Sequence, residues 1–370
     1  MSHAKNIGIV TWTESANYGT ELQAFALSYV IKSMGDNPYI IRWFSPSDFN
    51  LKRRLQLLLI RYNNRKRLIK EFGNIQKYKK IKLFEKRHLT YYPRIKTNFQ
   101  YRRMLSLFNC FISGSDQILN PLFVCPFYLL TFAKDIRKIT YASSIGVRTI
   151  PLEKEDLYKK SLCTFNAISA REENGREELA RVSNTKVTTV LDPTLLINRE
   201  QWIDICKNIS LKKCLDSNEK YILCYFIGEN EWYWTELENI RKKTGIDRVI
   251  VIPLCANHYK SHFEVIDDAS PLEFVQLINY SYLICTDSFH ASSFCINLQK
   301  NFVVFLRFSE NDKGSQNSRI HYLLEHFHLQ EQLYSTNFYH FQCDFSYSAN
   351  MLKDDRLKSL DFLKNATSEN

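Results

Sequence analysis

Apolar residues along this chain fall into short unbroken runs, separated by longer segments in which they recur every third or fourth position. That is the alternation of buried strands with amphipathic helices. Residues 7–12 form the first such run, and Leu22, Phe25, Ala26, Tyr29 and Val30 then predict a helix over 17–34, closed by Gly35. Pro38 follows, and 39–44 read as a second strand, so the chain opens on a βαβ unit. Further strands are predicted at 108–112, 138–146, 162–169 and 188–191, each ending in a loop rich in Gly, Ser, Asp or Arg. A second series follows with strands at 221–227, 248–253, 282–285 and 302–307 and helices at 232–243, 271–279, 318–328 and 351–363. The polar stretch at 196–219 divides the two series, which predicts one α/β domain over 1–195 and another over 196–370, the last helix returning to the first.

The stretch 282–298 concentrates the chemistry of this pattern. Its apolar run breaks at Thr286, Asp287 and Ser288 and resumes with helical spacing, so it reads as strand, tight turn and helix. Such a turn leaves helix amides free to hold an anion at the sheet edge, with His290 beside it. In an open α/β sheet the strand-end loops share one edge, where ligands bind.

Charge changes the picture in one place. Between residues 52 and 103 eighteen Lys and Arg face two acids, a local excess of +16 within a total of +11, so the remainder is slightly acidic. Leucine and isoleucine are interleaved with these cations, which predicts a basic helical insert at about 50–105. The insert is read either as a charged helical pair packed on the domain or as a contact with an anionic membrane surface through 52–103. No nucleic-acid reader motif accompanies the charge, and nucleic acid is not expected as a partner. No apolar run reaches the roughly 18 residues of a bilayer span and no secretory leader pattern opens the chain, so a cytoplasmic protein is expected. The ten cysteines are scattered without ligand spacing, and no metal is expected.

Neither a dinucleotide fingerprint nor a P-loop occurs at any strand–helix turn, which removes the main support for oxidoreductase or NTPase readings. Two doubly wound, Rossmann-like domains facing a cleft instead predict a glycosyltransferase-B-like α/β architecture.

Six motifs in order then carry a resemblance: Asn17-Tyr18-Gly19-Thr20 with Leu22-Gln23-Ala24; Gly114-Ser115-Asp116-Gln117 with Asn120-Pro121; Ala142-Ser143-Ser144-Ile145-Gly146; Ser169-Ala170-Arg171-Glu172; Leu191-Asp192-Pro193-Thr194; and Thr286-Asp287-Ser288-Phe289-His290. Together they resemble the polysaccharide pyruvyltransferase family. The resemblance implies transfer of the enolpyruvyl unit of phosphoenolpyruvate onto two hydroxyls of one sugar, giving a cyclic ketal and phosphate. It implies no cofactor beyond phosphoenolpyruvate as donor, and as acceptor a sugar or lipid-linked saccharide of a capsule, exopolysaccharide or wall polymer. By the same resemblance His290 is the acid/base residue, a role suited to a group that titrates near neutral pH. Arg171, Ser288, Phe289 and Arg319 are expected at the donor, and Asn17, Tyr18, Gly19, Ser115, Asp116 and Gln117 at the acceptor. Competing structural roles are an ion pair for Arg171, a helix cap for Asp116 and mere loop shaping for residues 17–19.

Two departures stand out. Many members carry Arg-x-His where this chain has Ser288-Phe289-His290, so Arg319 or Arg307 is expected to supply the missing charge. Leu119 stands where relatives often hold tryptophan, which bears on stacking of the acceptor. A nucleotide-sugar glycosyltransferase of the same shape and a non-catalytic saccharide binder are the alternative readings.

Overall fold

The computed structural model describes residues 4–45, 74–209, 211, 219–309, 312 and 315–368. Arg53, Arg54, Arg65, Lys66 and Arg67, the cations assigned to membrane contact, lie outside the described residues.

Two parallel sheets make the frame. In the first, β1 (Asn6–Val10) is central, with β2 (Asn37–Ile40) on one side and β3 (Cys110–Ser113) and β4 (Arg137–Thr140) on the other. β5 (Ile168–Ala170) and β6 (Val187–Thr189) pair with each other in parallel, and β5 is joined to the β4 edge by bridges at Ile139–Ala167 and Ser143–Ala170. The second sheet has β7 (Tyr221–Tyr225) at its centre, flanked by β8 (Arg248–Val251) and β9 (Glu264–Val265) on one side and by β10 (Leu283–Thr286) and β11 (Phe302–Val304) on the other. Strand order reverses beside β1 and beside β7. Those two switch points are where crevices open in doubly wound sheets.

Strands buried on both faces read as continuous apolar runs. β3, β7 and β10 are buried at every position, which explains why the sequence pattern located them. α1 (Tyr18–Ser33) packs beside β2 of the first sheet, and α10 (Phe289–Leu298), buried along its whole length, packs beside β10 and β11 of the second. α9 (Pro271–Tyr280) starts at Ser270 with Pro271 in its first turn, and a reciprocal capping box joins Ser270 to Glu273.

Two elements differ from expectation. Residues 162–169 were predicted as one strand, yet Leu162 ends a helix, α4 (Leu152–Leu162), and only Ile168–Ala170 are extended. α4 has no side-chain cap, and its first residue, Leu152, is exposed, so its periodicity is weak. The final helix, α12 (Ser346–Thr367), is longer than the predicted 351–363. It lies across the first domain, where Ser359 Oγ accepts from the Leu191 amide at 2.9 Å and Arg137 Nε donates to the Ala366 carbonyl at 2.6 Å.

The described part of the basic insert consists of α2 (Ile75–His88) and α3 (Asn98–Leu107). α2 turns several of its cations inward. Lys77 is buried over the Tyr18 ring and donates to the Pro253 carbonyl, while Lys80 bridges Asp268 and Glu273, each at 3.1 Å. This helix therefore ties the first domain to the second. No described helix is long and apolar enough to cross a membrane.

Candidate active site

At the end of β10 the chain turns into α10 through Thr286, Asp287 and Ser288. Asp287 is a structural clamp. Its carboxylate accepts the Ile227 and Gly228 amides at 2.6 and 2.8 Å, so the ends of β7 and β10 are laced together. A side chain on Gly228 would overlap this carboxylate. Arg307 is spent on the same residue, through Nε to Oδ2 at 3.3 Å and Nη2 to the carbonyl at 3.2 Å. Ser288 is the buried N-cap of α10, and its hydroxyl accepts from the Ala291 amide at 3.4 Å.

His290 follows in the first turn of α10, 5% exposed, against Gly19 of the facing domain. Its Nε2 lies 3.4 Å from Asp192 Oδ2, out of hydrogen-bond alignment, and has no hydrogen-bond partner among the described residues. Asp192 caps α6 (Pro193–Leu196) with Oδ1, which accepts the Thr194 amide at 3.0 Å and hydroxyl at 2.7 Å. Oδ2 collects Ser115 Oγ and Arg171 Nη1, both at 3.0 Å. Burial pushes the Asp192 carboxyl upward, but the opposed His290 and Arg171 charges and the Thr194 amide outweigh it and hold the group ionised, well below the usual carboxylate range.

Arg171, at the end of β5, is also buried. Its guanidinium lies over the Phe289 ring at 4.0 Å and donates Nη2 to Glu172 Oε1 at 3.3 Å, while Nε has no hydrogen-bond partner among the described residues. Glu172 Oε1 in turn accepts from Ser144 Oγ at 2.6 Å. Phe289 thus acts through Arg171, holding its plane by cation–π contact.

Arg319 approaches from α11 (Ser318–His326). It is 8% exposed, donates Nη2 to Gln316 Oε1 at 2.8 Å, and makes no ion pair with a carboxylate among the described residues. The Gln117 amide lies 3.1 and 3.2 Å from its two Nη atoms. Burial and the repulsion of Arg171 pull the Arg319 pKa down to about 10, against the opposing pull of Glu172 and Asp116. Its charge is thus buried without a carboxylate counter-ion among the described residues. Asp116 sits beside it at φ 70°, its carboxylate accepting from Thr20 Oγ1 at 3.0 Å and from the Gln117 amide at 2.9 Å. A non-glycine residue at positive φ is the kind of strain that collects at functional sites.

His290, Arg171, Phe289, Gly19, Ser115, Asp116, Gln117 and Arg319 are therefore brought together, from both domains. Tyr18 is not among them. Its ring stacks on Phe274 at 4.8 Å and its hydroxyl donates to the Ala269 carbonyl at 2.9 Å, in the seam between the domains. Asn17 caps α1 through the Gly19 amide at 2.9 Å and accepts from the Tyr225 hydroxyl at 3.2 Å. Leu119 is a core residue, fully buried, its carbonyl accepting from Tyr158. Asp192, Glu172 and Gln316 were not singled out from sequence as site residues; the first two stand in quoted motifs, which was the available signal.

The fold agrees with known structures. The S. aureus MnaA–UDP structure superposes with a TM-score of 0.51 at 11% identity, over 98% of this chain and 90% of that one. A UDP-GlcNAc 2-epimerase from Neisseria meningitidis (TM-score 0.47, 12% identity, 98% and 93% covered) and a glycosyltransferase from Rickettsia africae (0.48, 12%, 99% and 95%) are also similar. These neighbours are of glycosyltransferase-B type, two parallel-sheet α/β domains about a cleft. No curated protein sequence matches the chain. The family model for polysaccharide pyruvyl transferase matches residues 17–307, a span that holds all six of the sequence motifs, from Asn17 to His290. By that match the chain belongs to the polysaccharide pyruvyl transferase family.

Proposed function

We propose that this member transfers the enolpyruvyl unit of phosphoenolpyruvate onto two hydroxyls of one sugar, forming a cyclic pyruvate ketal and releasing phosphate. The observation that carries the reading is Arg319, a buried guanidinium without a carboxylate partner among the described residues, next to Arg171 and the His290–Asp192 pair. Such a site favours a small, highly charged anion, and phosphoenolpyruvate is one. Arg319 rather than Arg307 supplies the charge that Ser288 lacks, because Arg307 is committed to Asp287.

In this reading His290, held by the ionised Asp192, protonates the methylene carbon of the donor as general acid. Positive charge develops at the adjacent carbon, which one sugar hydroxyl attacks as it gives up its proton. Phosphate then leaves as the second hydroxyl closes the ketal. The two hydroxyl protons end in the new methyl group and in the released hydrogen phosphate, so the step balances. Arg171 and Arg319 stabilise the departing charge, and Ser115 steadies the Asp192 carboxylate.

The acceptor is proposed to be a surface-polysaccharide precursor, lipid-linked, at the inner membrane face, which gives the basic insert a role. Neutralising Arg53, Arg54, Arg65, Lys66 and Arg67 together should weaken sedimentation with anionic vesicles, and unchanged sedimentation would leave the insert structural. The reaction is tested by incubation with phosphoenolpyruvate and a panel of saccharides. Phosphate release with an acceptor mass gain of one pyruvate less one water supports it. Consumption of a nucleotide sugar with phosphoenolpyruvate untouched would sink it in favour of glycosyl transfer.

A further inference from the structure

Arg319 already has an oxygen in front of it, and that oxygen belongs to a neutral side chain. Gln316 Oε1 accepts from Arg319 Nη2 at 2.8 Å and, from the facing domain, from Gln117 Nε2 at 2.9 Å. Gln316 stands on the loop before α11 and is half-buried, whereas Gln117, on the loop after β3, is buried. The orientation of the Gln117 amide follows from its other neighbours. The Leu122 amide donates to Asn120 Oδ1 at 2.9 Å, so Asn120 Nδ2 is the atom turned toward Gln117, and it donates to Gln117 Oε1 at 2.8 Å. Gln117 Nε2 is thereby left 3.1 and 3.2 Å from the two Nη atoms of Arg319, a donor facing donors. Turning the amide over would relieve that contact, but it would set nitrogen against Asn120 Nδ2 and oxygen against Gln316 Oε1. Gly146, at φ 65°, shapes the slot: a β-carbon there would overlap the Gln117 and Asn120 amides.

We propose that Gln316 Oε1 holds the place of an oxygen of the bound anion, and that Gln117 Nε2 is a further donor to that anion beside Arg319. In the pyruvyl-transfer reading the anion is the phosphoryl group of the donor, and that identity rests on the reading; the exchange of one oxygen for another does not. Two donor groups, one from each domain, converge on a single amide oxygen while crowding each other. An anion with several oxygens gives each N–H its own acceptor and takes away the crowding. It also binds more strongly, because an amide oxygen carries only a partial charge, whereas hydrogen bonds from a guanidinium to a phosphoryl oxygen are charge-assisted. The two glutamines are built for different parts. Gln316 is half-buried, so its amide regains water when displaced, whereas Gln117 is fixed in its slot by Asn120 and Gly146 and stays to meet the ligand. This gives the Gly114–Gln117, Asn120–Pro121 and Ala142–Gly146 motifs a shared task, and it moves Gln117, expected at the acceptor from sequence, to the donor.

The test is isothermal titration of the full-length protein with phosphoenolpyruvate and, separately, with inorganic phosphate. Gln316→Ala removes the competing oxygen and should bind both anions roughly three- to tenfold more tightly than the wild type, the equivalent of about one hydrogen bond. Gln316→Glu sets a charged oxygen in the same place. It should bind both anions roughly tenfold more weakly and melt at a higher temperature when free, since Arg319 gains a counter-charge. Gln117→Leu should weaken binding roughly tenfold. If Gln316 merely positions Arg319, Gln316→Ala binds more weakly; that result, or an unchanged affinity, overturns the proposal. Tighter or unchanged binding by Gln117→Leu removes Gln117 from the anion site, and tighter binding would show that it only tethers Gln316. Failure of both anions to bind the wild type and Gln316→Ala alike overturns the placeholder too. Phosphate affinities that follow these changes while phosphoenolpyruvate is neither bound nor consumed would leave the placeholder standing and count against pyruvyl transfer alone.

Discussion

Gly19 lies flat against the His290 imidazole, so close that a β-carbon at position 19 would overlap Nδ1 and Cγ of the ring. The two residues come from helices of different domains, and the absence of a side chain on one fixes where the other can sit. Gly19→Ala should therefore displace His290, at a cost of about 1–3 kcal/mol in stability and roughly 10²-fold in rate. In the Gly19→Ala/His290→Ala double variant the stability loss should largely disappear, and urea unfolding of the four proteins in the cycle measures this. Additive losses would show that the contact is not the cause.

Asp192 holds both Arg171 and His290, and Asn in its place keeps the shape without the charge. Asp192→Asn should cost about 3–5 kcal/mol in stability by leaving Arg171 without its buried counter-charge. In kcat it should cost roughly 10⁴-fold, as when an orienting carboxylate beside a catalytic histidine is amidated. Steady-state rates on the folded fraction would separate the two effects, because a purely structural role leaves kcat per folded molecule unchanged.

Arg319 carries a stability cost that the proposed donor would offset. Its pKa falls from the ordinary arginine value to about 10, a penalty on the order of 3 kcal/mol carried by the charged form in the ligand-free protein. Arg319→Met should accordingly raise the melting temperature of the free protein. The same variant should lose the further rise that phosphoenolpyruvate gives the wild type, and retention of that rise would remove Arg319 from the donor site.

Lys77 predicts a pH dependence of stability. Burial lowers its pKa from 10.5 to about 8, with Asp267 pulling the other way. Below pH 8 the lysine is protonated in both folded and unfolded chains, and the full cost of burying its charge, about 3 kcal/mol, is present. As pH rises from about 8 to 10.5 the folded state releases its proton first, and the cost is relieved. The wild type should thus gain stability relative to Lys77→Met across that window, and the variant should be the more stable at pH 7. Parallel denaturation curves for the two proteins over the same pH range would contradict this.

Much of this architecture was legible because parallel strands buried on both faces write themselves as apolar runs, and because the turn at Asp287 and Ser288 interrupts one of them sharply. What sequence could not order was the geometry among motifs. Asp192 reads locally as a strand stop, yet its importance comes from Ser115, Arg171 and His290 converging on one oxygen. Tyr18 and Gly19 are neighbours in one motif, but successive residues in a helix point about 100° apart, so one enters the domain seam and the other meets His290. The basic insert was legible as a helical pair packed on the domain, but not which cations face inward: Lys77, Lys80 and Lys82 turn to carboxylates, a carbonyl and a ring.

The hydrogen bond from the Leu191 amide to Ser359 spans 168 positions of the chain. Leu191 adjoins the carboxylate on which the site converges, so this support of Asp192 waits until residue 359 has been made and has folded back. Until α12 has emerged and crossed over, the first domain would hold its charged centre without this brace. Competence for catalysis is thereby tied to the docking of α12, and contacts of such long range form slowly.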